Sequence, residues 1–411
     1  MFVSFMKALV KFMDIALVLS SYLWLAPYSK DFDIVLPCRV YAIVRLLWFS
    51  YNGKLNPTVH EIVLLAILSI PSMIFFCVQS MVLQITDCVK NGAGSILYLF
   101  AAYYIYKGIG IKKYFRYLFI FSGINILGIF IWIAFGTPEV ISTPENGRSP
   151  YSYVLNFMTI KQSINYDMTT VGSWFMKVRF CGFTSNSNTI GICSAVGMLY
   201  LIFIKPSTKK MIVAWLGFVV LLLLTQSRAA FLFIMVFYIT RYIMMNNLLS
   251  KKMLKLIGLI FVVFVAGLFL NSLRYSGGDI SSNRVFFMEI LWKIYSENNL
   301  LNQIFGIGHK QLHAFLWTDS GIDWLSPDNT YVPLLFENGI VGFGVLSICA
   351  LFTAFYSCTR RRDGIKEGLP MFLAIIAFSF FERIWFISQM SYFYLIYAFY
   401  LTSIKCDKDV E

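Results

Sequence analysis

The sequence predicts an all-α, polytopic membrane protein with about twelve transmembrane helices and two long polar loops on one face. Hydrophobic residues make up 58% of the chain and charged residues 13%, and the mean hydropathy is +0.71. Soluble domains average about 45–50% apolar and about 25% charged residues. The apolar residues cluster in runs near the roughly 20 residues that span a bilayer, so we expect a single membrane domain.

The apolar runs are separated by short loops except at two places. They lie near residues 9–27, 33–50, 60–80, 93–108, 114–136, 187–204, 211–227, 229–247, 254–271, 330–357, 369–382 and 385–404. We therefore divide the chain into transmembrane segments 1–136, 187–271 and 330–411, with polar loops at 137–186 and 272–329. Both loops contain aromatic residues that disordered linkers lack, so we expect folded, partly helical caps, with amphipathic helices in the second.

The basic residues predict the orientation of the chain in the membrane. With the N-terminus inside, the short basic loops fall on the inner face, among them those with Lys54, Lys112 and Arg361. Both long polar loops then fall outside, and the C-terminus lies inside. This distribution obeys the positive-inside rule. The net charge of +13 therefore indicates membrane orientation, with the bilayer as a partner, rather than nucleic-acid binding.

The cysteines and histidines do not form a metal-ligand pattern. The eight cysteines include no Cys-x-x-Cys pair, and most of them lie in apolar runs. His309 and His313 are four residues apart, but no third histidine or carboxylate motif lies nearby to complete a zinc site. We expect no metal and no other cofactor.

Two arginines lie in tight outer turns between apolar runs. Arg228 occurs in Leu-Thr-Gln-Ser-Arg-Ala-Ala-Phe, at or near membrane depth. Insertion of an arginine costs about 2.5–3.5 kcal/mol at the centre of a membrane helix and less near the interface, so a ligand-binding role is favoured. The alternative is an arginine that extends to lipid phosphate. Arg383, directly after Glu382, is either a ligand contact or an interfacial anchor.

Two further arginines begin motifs in the outer loops. Arg179 opens a cluster of Gly, Ser and Asn residues that leads into a helix, a pattern typical of a capped helix start and also of an anion site. Arg284 opens an amphipathic helix in which Val285, Met288 and Leu291 recur at helical spacing. A cation in the first turn of a helix is electrostatically unfavourable, which favours a ligand role for Arg284.

A carboxylate stands at the end of the second loop. Asp328 precedes an apolar helix, where it is a good helix cap and also a candidate general base, with His309 or His313 as alternatives. Outward arginines, a base and an apolar chamber suit a substrate with a lipid tail and an anionic head. A guanidinium group can bind two phosphate oxygens in parallel, and it stabilises a departing phosphate without a metal.

In their order along the chain, these segments resemble the O-antigen ligase and polymerase superfamily of bacterial inner-membrane proteins. The matching motifs are Arg-x-x-Gly-Phe-x-x-Asn-x-Asn from Arg179, Thr-Gln-Ser-Arg-Ala-Ala around Arg228, Asn-Arg at Arg284, Gly-Ile-Gly-His ending at His309, and Asp-Asn-Thr-Tyr from Asp328 followed by Leu-Phe-Glu-Asn-Gly-Ile-Val-Gly. The superfamily's ligases carry a histidine where this chain has Asp328, a departure that resembles the polymerase branch.

The resemblance implies a metal-independent, inverting glycosyltransferase with a GT-C-like helical fold and its active site in the periplasm. Its donor is a glycan on undecaprenyl pyrophosphate, and the acceptor is the non-reducing end of another lipid-linked repeat unit. Arg228 and Arg284 correspond to the pyrophosphate-binding arginines, and we add Arg179 and Arg383. The residues that we expect to support the acceptor and the loops are Asn188, Glu289 and Asn329. An inner-membrane chain-length regulator is a further expected partner.

Three other functions stay open at this point. A ligase would transfer the same glycan to lipid A–core, and only the acceptor distinguishes a ligase from a polymerase. A flippase or transporter of lipid-linked oligosaccharide also suits twelve helices with cationic residues, although such proteins usually show internal repeats and midplane charges. We see no repeat in this sequence. A membrane partner without catalytic activity is the third alternative.

Overall fold

The computed structural model describes residues 2–20, 22–23, 34–79, 96–142, 151–157, 160–166, 178–184, 186–245, 284–307, 331–359, 368–379 and 390–403. Most of these residues are helical, which confirms the helical class. The helices are α1 (Phe2–Ser20), α2 (Val35–Tyr51), α3 (Val59–Gln79), α4 (Ile96–Ile109), α5 (Ile111–Phe135), α6 (Ser187–Met198), α7 (Tyr200–Ile204), α8 (Thr208–Thr225), α9 (Arg228–Met245), α10 (Arg284–Glu297), α11 (Leu300–Phe305), α12 (Tyr331–Thr359), α13 (Gly368–Ser379) and α14 (Met390–Ser403).

Within the part of the chain that the structure describes, three helical stretches are long and apolar enough to cross a membrane. They are α5, the stretch Ser187–Ile204 formed by α6 and α7, and α8. The outward side of α5 carries large apolar side chains, with Leu127 and Phe135 more than 60% exposed. Such a face suits lipid rather than water. Shorter apolar helices are Val59–Ile70, Ile96–Ile109, Ala229–Ile243, Leu334–Val345 and Pro370–Ser379. The apolar run predicted at 254–271 lies outside the described residues.

The first polar loop corrects the all-α prediction. Where we expected a partly helical cap, the described part of 137–186 forms an antiparallel sheet in the order β1-β2-β3-β4. Its strands are β1 (Thr137–Ser142), β2 (Tyr151–Phe157), β3 (Ile160–Tyr166) and β4 (Val178–Gly182). The strands β2 and β3 pair along their whole length, from Tyr151 opposite Tyr166 to Phe157 opposite Ile160. Tyrosine and isoleucine are common in strands, and this composition favours the sheet over a helix.

The described residues fall into two compact units. The first contains those within 1–41 and 109–235, and the second contains those within 42–108, 236–245 and from 284 onwards. A buried apolar cluster in the first unit joins α5, β4, α6 and α8, and consists of Ile129, Phe180, Ile190, Leu221 and Leu224. The backbone of α6 also approaches α5 closely, because a Cβ on Gly197 would lie 2.8 Å from the Phe119 nitrogen.

A buried ion pair joins α3 and α4 within the second unit. Thr58 and Glu61 form a capping box at the start of α3, in which each side chain accepts from the other's backbone N–H. The Glu61 carboxylate is fully buried, and it accepts a 3.0 Å hydrogen bond from the Tyr103 hydroxyl. Lys107 lies 2.8 Å from the other carboxylate oxygen, in a π-helical turn, Ile105–Ile109, that ends α4. The polar network thus fixes the start of α3 against the end of α4.

Candidate functional site

The turn between α8 and α9 sets the position of Arg228. Gln226 ends α8 in the left-handed conformation, with φ 51°, and its N–H bonds the Leu222 carbonyl at 2.7 Å. Ser227 is buried and caps α9, because its hydroxyl accepts from the Ala230 N–H at 3.4 Å. Arg228 is the first residue of α9. It therefore lies at a helix N-terminus, where unpaired N–H groups and the helix dipole attract anions.

Arg179 approaches this turn from the sheet. It lies in β4 opposite Asn165 of β3, and its side chain is half-buried. One guanidinium nitrogen donates a hydrogen bond of 3.4 Å to the backbone carbonyl of Gln226. Arg179 forms no ion pair with any residue that the structure describes. The motif that begins at Arg179 thus lies beside the motif around Arg228, although 48 residues separate the two arginines in the sequence.

The start of α6 forms a second helix N-terminus in the same unit. Asn186 caps the helix as expected, with its side chain accepting from the Asn188 N–H at 2.8 Å. Ser187, the first residue of α6, is fully buried, and its hydroxyl has no hydrogen-bond partner among the described atoms. An unpaired buried hydroxyl costs about 1–3 kcal/mol, so Ser187 is a candidate for a ligand contact.

Gly191 brings α6 against the turn that precedes Arg228. A Cβ at Gly191 would collide with the Ser227 side chain and lie 3.1 Å from the Ala230 Cβ. Ser187 is four residues before Gly191, so both project from the same side of α6. Glycine therefore allows the two helix N-termini to approach each other, with Ser187 on the side of α6 that faces α9.

Asn125 attaches the end of β4 to α5. This buried asparagine donates to the Phe121 carbonyl at 2.9 Å and accepts from the Phe183 N–H at 2.8 Å. Gly182 has a φ of +57°, and a Cβ there would collide with the Asn125 amide oxygen. The asparagine thus holds the chain just after Arg179 and just before α6, which fixes the arginine relative to the helix start.

Together these residues make up the candidate anion site. The first unit contains two helix N-termini, the Arg179 guanidinium, Arg228 as the first residue of α9, and the unpaired Ser187 hydroxyl. Guanidinium groups and exposed N–H groups bind phosphate oxygens well. Among the described residues there is no group of three His, Cys, Asp or Glu side chains that could hold a metal ion.

The other predicted site residues belong to the second unit or lie outside the described residues. Arg284 is the first residue of α10, and Glu289 lies in the middle of the same helix. The positions outside the described part of the chain are His309, His313, Asp328, Asn329 and Arg383. Their assignment stays a prediction from the sequence.

Three features of the site are missing from the sequence predictions. The unpaired hydroxyl of Ser187 and the close approach at Gly191 arise from packing between segments, which no local pattern shows. Asn125 has a weak sequence signal, since it is a polar residue inside the apolar run 114–136. A buried amide needs hydrogen-bond partners, so such a residue indicates a contact with backbone outside the helix.

No model of a known protein family matches this chain, and no curated protein matches it.

Proposed function

We propose that the chain is a lipid-linked glycan polymerase. It transfers a growing glycan from undecaprenyl pyrophosphate to the non-reducing end of another lipid-linked repeat unit. The observation that supports this function best is the convergence of Arg179 with the Gln226–Arg228 turn beside the start of α6. A site of this kind suits a pyrophosphate leaving group, because its charge is balanced by arginines and helix N-termini instead of a metal.

The proposed reaction is a direct displacement at the anomeric carbon of the donor sugar. An acceptor hydroxyl oxygen forms the new bond while the bond from that carbon to the pyrophosphate oxygen breaks. The pyrophosphate leaves with the electron pair, and the hydroxyl proton passes to a general base. We assign the base to Asp328, with His309 and His313 as the other candidates, and assign Arg179 and Arg228 to the leaving group. Inversion at the anomeric carbon follows from a single displacement.

The proposed setting is the inner membrane of a bacterium. We propose about twelve spans in a GT-C-like arrangement, with both termini in the cytoplasm and the sheet β1–β4 in the periplasm. Reporter fusions test this topology. Alkaline phosphatase joined after Gly147 is expected to be active, and green fluorescent protein joined after Lys209 is expected to fluoresce. The reverse pattern would contradict the orientation.

Reconstitution with one substrate separates the polymerase from its alternatives. Purified protein in liposomes receives a fluorescent lipid-linked repeat unit and nothing else. A ladder of lengthening lipid-linked products is expected. Product that forms only after lipid A–core is added would identify a ligase instead. Movement of the labelled lipid between leaflets, with no change in its length, would identify a flippase.

A further inference from the structure

Two backbone segments of the second unit meet at a pair of glycines. The end of α11 contacts α12 where Gly339 interrupts that helix with a φ of 63° and a ψ of −174°. At this break the Ile307 N–H donates a 2.8 Å hydrogen bond to the Phe336 carbonyl. The last carbonyls before a helix break lack helical partners, so Ile307 supplies one from another segment. We call Gly306, Ile307, Phe336 and Gly339 the glycine latch.

Only glycine fits at either side of the latch. Gly306 ends α11 with a φ of 86° and a ψ of 166°, and Gly339 has similar angles. This region of backbone conformation is essentially restricted to glycine. A Cβ at Gly306 would collide with the Glu337 carbonyl, and a Cβ at Gly339 would collide with the Ile304 carbonyl. The two backbones are therefore in direct contact, and any side chain at either glycine would separate them.

Side chains of α10 and α11 support the latch. The Tyr295 hydroxyl donates a 2.6 Å hydrogen bond to the Gln303 carbonyl, and its ring packs edge-on against Phe336, with 5.2 Å between ring centroids. Burial raises the pKa of the Tyr295 phenol above its ordinary value, which widens the pH range over which the hydroxyl can donate. Asn299 caps α11 by accepting from the Asn302 N–H at 2.8 Å. These bonds fix the direction in which α11 meets α12.

We propose that the glycine latch is a positioning element for the transfer reaction. It fixes the first turns of α12 against the end of α11, between the two sequence motifs that supply candidate bases. In the sequence His309 follows Ile307 by two residues, and Asp328 precedes Tyr331, the first residue of α12, by three. The inference rests on the proposed function, because the turnover that it concerns is that of the proposed polymerase.

A positioning role predicts a specific kinetic signature. Displacement of a reacting group by about 1 Å lowers the rate of a reaction by about 100-fold, while binding of the remote lipid and sugars is unaffected. Variants of the latch should therefore lose kcat and keep KM. A purely structural role would instead lower the amount of folded protein, or change both parameters together.

The experiment compares three variants of the full-length protein in liposomes. Gly339→Ala places a Cβ in the latch, and Tyr295→Phe removes only the hydroxyl that bonds Gln303. Gly344→Ala is the matched control, since it lies in the same helix with nothing within 4 Å of its added Cβ. Ladder formation from the lipid-linked repeat unit gives kcat and KM, and hydrogen exchange of peptides covering Ile307 reports the latch hydrogen bond directly.

Gly339→Ala is expected to lower kcat by about 100-fold, and Tyr295→Phe by about five-fold, with KM within two-fold of the wild type. The Ile307 amide is expected to be protected in the wild type and in Gly344→Ala and to exchange faster in Gly339→Ala. Wild-type kcat in folded Tyr295→Phe, or rapid exchange of Ile307 in the wild type, would overturn the proposal. A wild-type protein that forms no ladder would overturn both the polymerase function and the catalytic role of the latch. Hydrogen exchange of the Ile307 amide would still show whether the latch itself forms.

Discussion

The Arg179 guanidinium donates a 3.4 Å hydrogen bond to the carbonyl of Gln226, two residues before Arg228. This bond brings together two arginine motifs that are far apart in the sequence. It also places a cation from the sheet beside the N-terminus of α9, where unpaired N–H groups already favour an anion. A cation beside a helix N-terminus favours a bound negative charge, and the proposed pyrophosphate supplies it.

Loss of either arginine should weaken use of the lipid-linked donor. A hydrogen bond to a charged group contributes about 1.5–3 kcal/mol, which corresponds to roughly a 10- to 100-fold change. We expect Arg179→Ala and Arg228→Ala each to lower kcat/KM by about this factor in the ladder assay. Arg228→Lys should recover only part of it, because lysine cannot bind two phosphate oxygens in parallel. Lys209→Ala, an exposed cation at the start of α8, is the control. Wild-type kcat/KM in Arg179→Ala would remove that residue from the site.

The close approach of α6 to the Ser227 turn depends on the absence of a side chain at Gly191. Gly191→Ala should push α6 away from the start of α9, with an overpacking cost of about 1–3 kcal/mol. We expect a lower thermal unfolding temperature in detergent and a raised KM for the donor. Gly123→Ala is the matched control on α5, where the added Cβ meets nothing within 4 Å. Equal behaviour of the two variants would contradict the close approach of α6 to the Ser227 turn.

The Asn125 amide links α5 to the chain between Arg179 and α6. Asn125→Ala removes the acceptor of the part-buried Phe183 N–H, and we expect a loss of about 1–3 kcal/mol in the free energy of unfolding. Thermal unfolding of purified protein measures it. Leu127→Ala, on the exposed side of the same helix, truncates a larger side chain and should change stability less. A more stable protein after Asn125→Ala would contradict the assigned hydrogen bonds.

Removing one partner of the buried Lys107–Glu61 ion pair should cost more stability than replacing both. Lys107→Met leaves a buried carboxylate without its cation, and such a change costs about 3–5 kcal/mol. Replacing both residues, as in Glu61→Leu with Lys107→Met, should recover most of that loss. Lys293→Met removes an exposed pair with Glu297, 4.0 Å apart, and should cost less than about 1 kcal/mol. A double-mutant cycle on unfolding temperatures tests the pair, and additive effects of the two single changes would contradict it.

The sequence predicts the helices well, because hydropathy is a local property of the chain. The run predicted at 187–204 matches the stretch formed by α6 and α7, and the run at 211–227 corresponds to Thr208–Thr225. The sheet was missed because its strands are only five to seven residues long. The alternation of apolar and polar residues in these strands is weak compared with the long apolar runs of the helices. Strand pairing is also stabilised by contacts between segments rather than within one segment.

The candidate site could be predicted only in part. The arginine motifs marked Arg179 and Arg228 as unusual, since charge near a membrane is costly. Their adjacency depends on the fold of the 48 residues between them, which local patterns do not encode. The glycine latch was hidden for the same reason. In the sequence Gly339 lies inside the apolar run 330–357, and its backbone contact with Gly306 arises from packing of α11 on α12.

The stoichiometry of product release tests the central claim most directly. Purified protein in liposomes, with a chelator present to remove divalent metals, is given the lipid-linked repeat unit. New glycosidic bonds and free undecaprenyl pyrophosphate are then counted in the same sample. We expect one lipid pyrophosphate for each bond formed, and about 10- to 100-fold slower formation of both products with Arg228→Ala at limiting substrate. Substrate that disappears from the outer leaflet without pyrophosphate release, or a reaction that stops when metal is removed, would contradict the account.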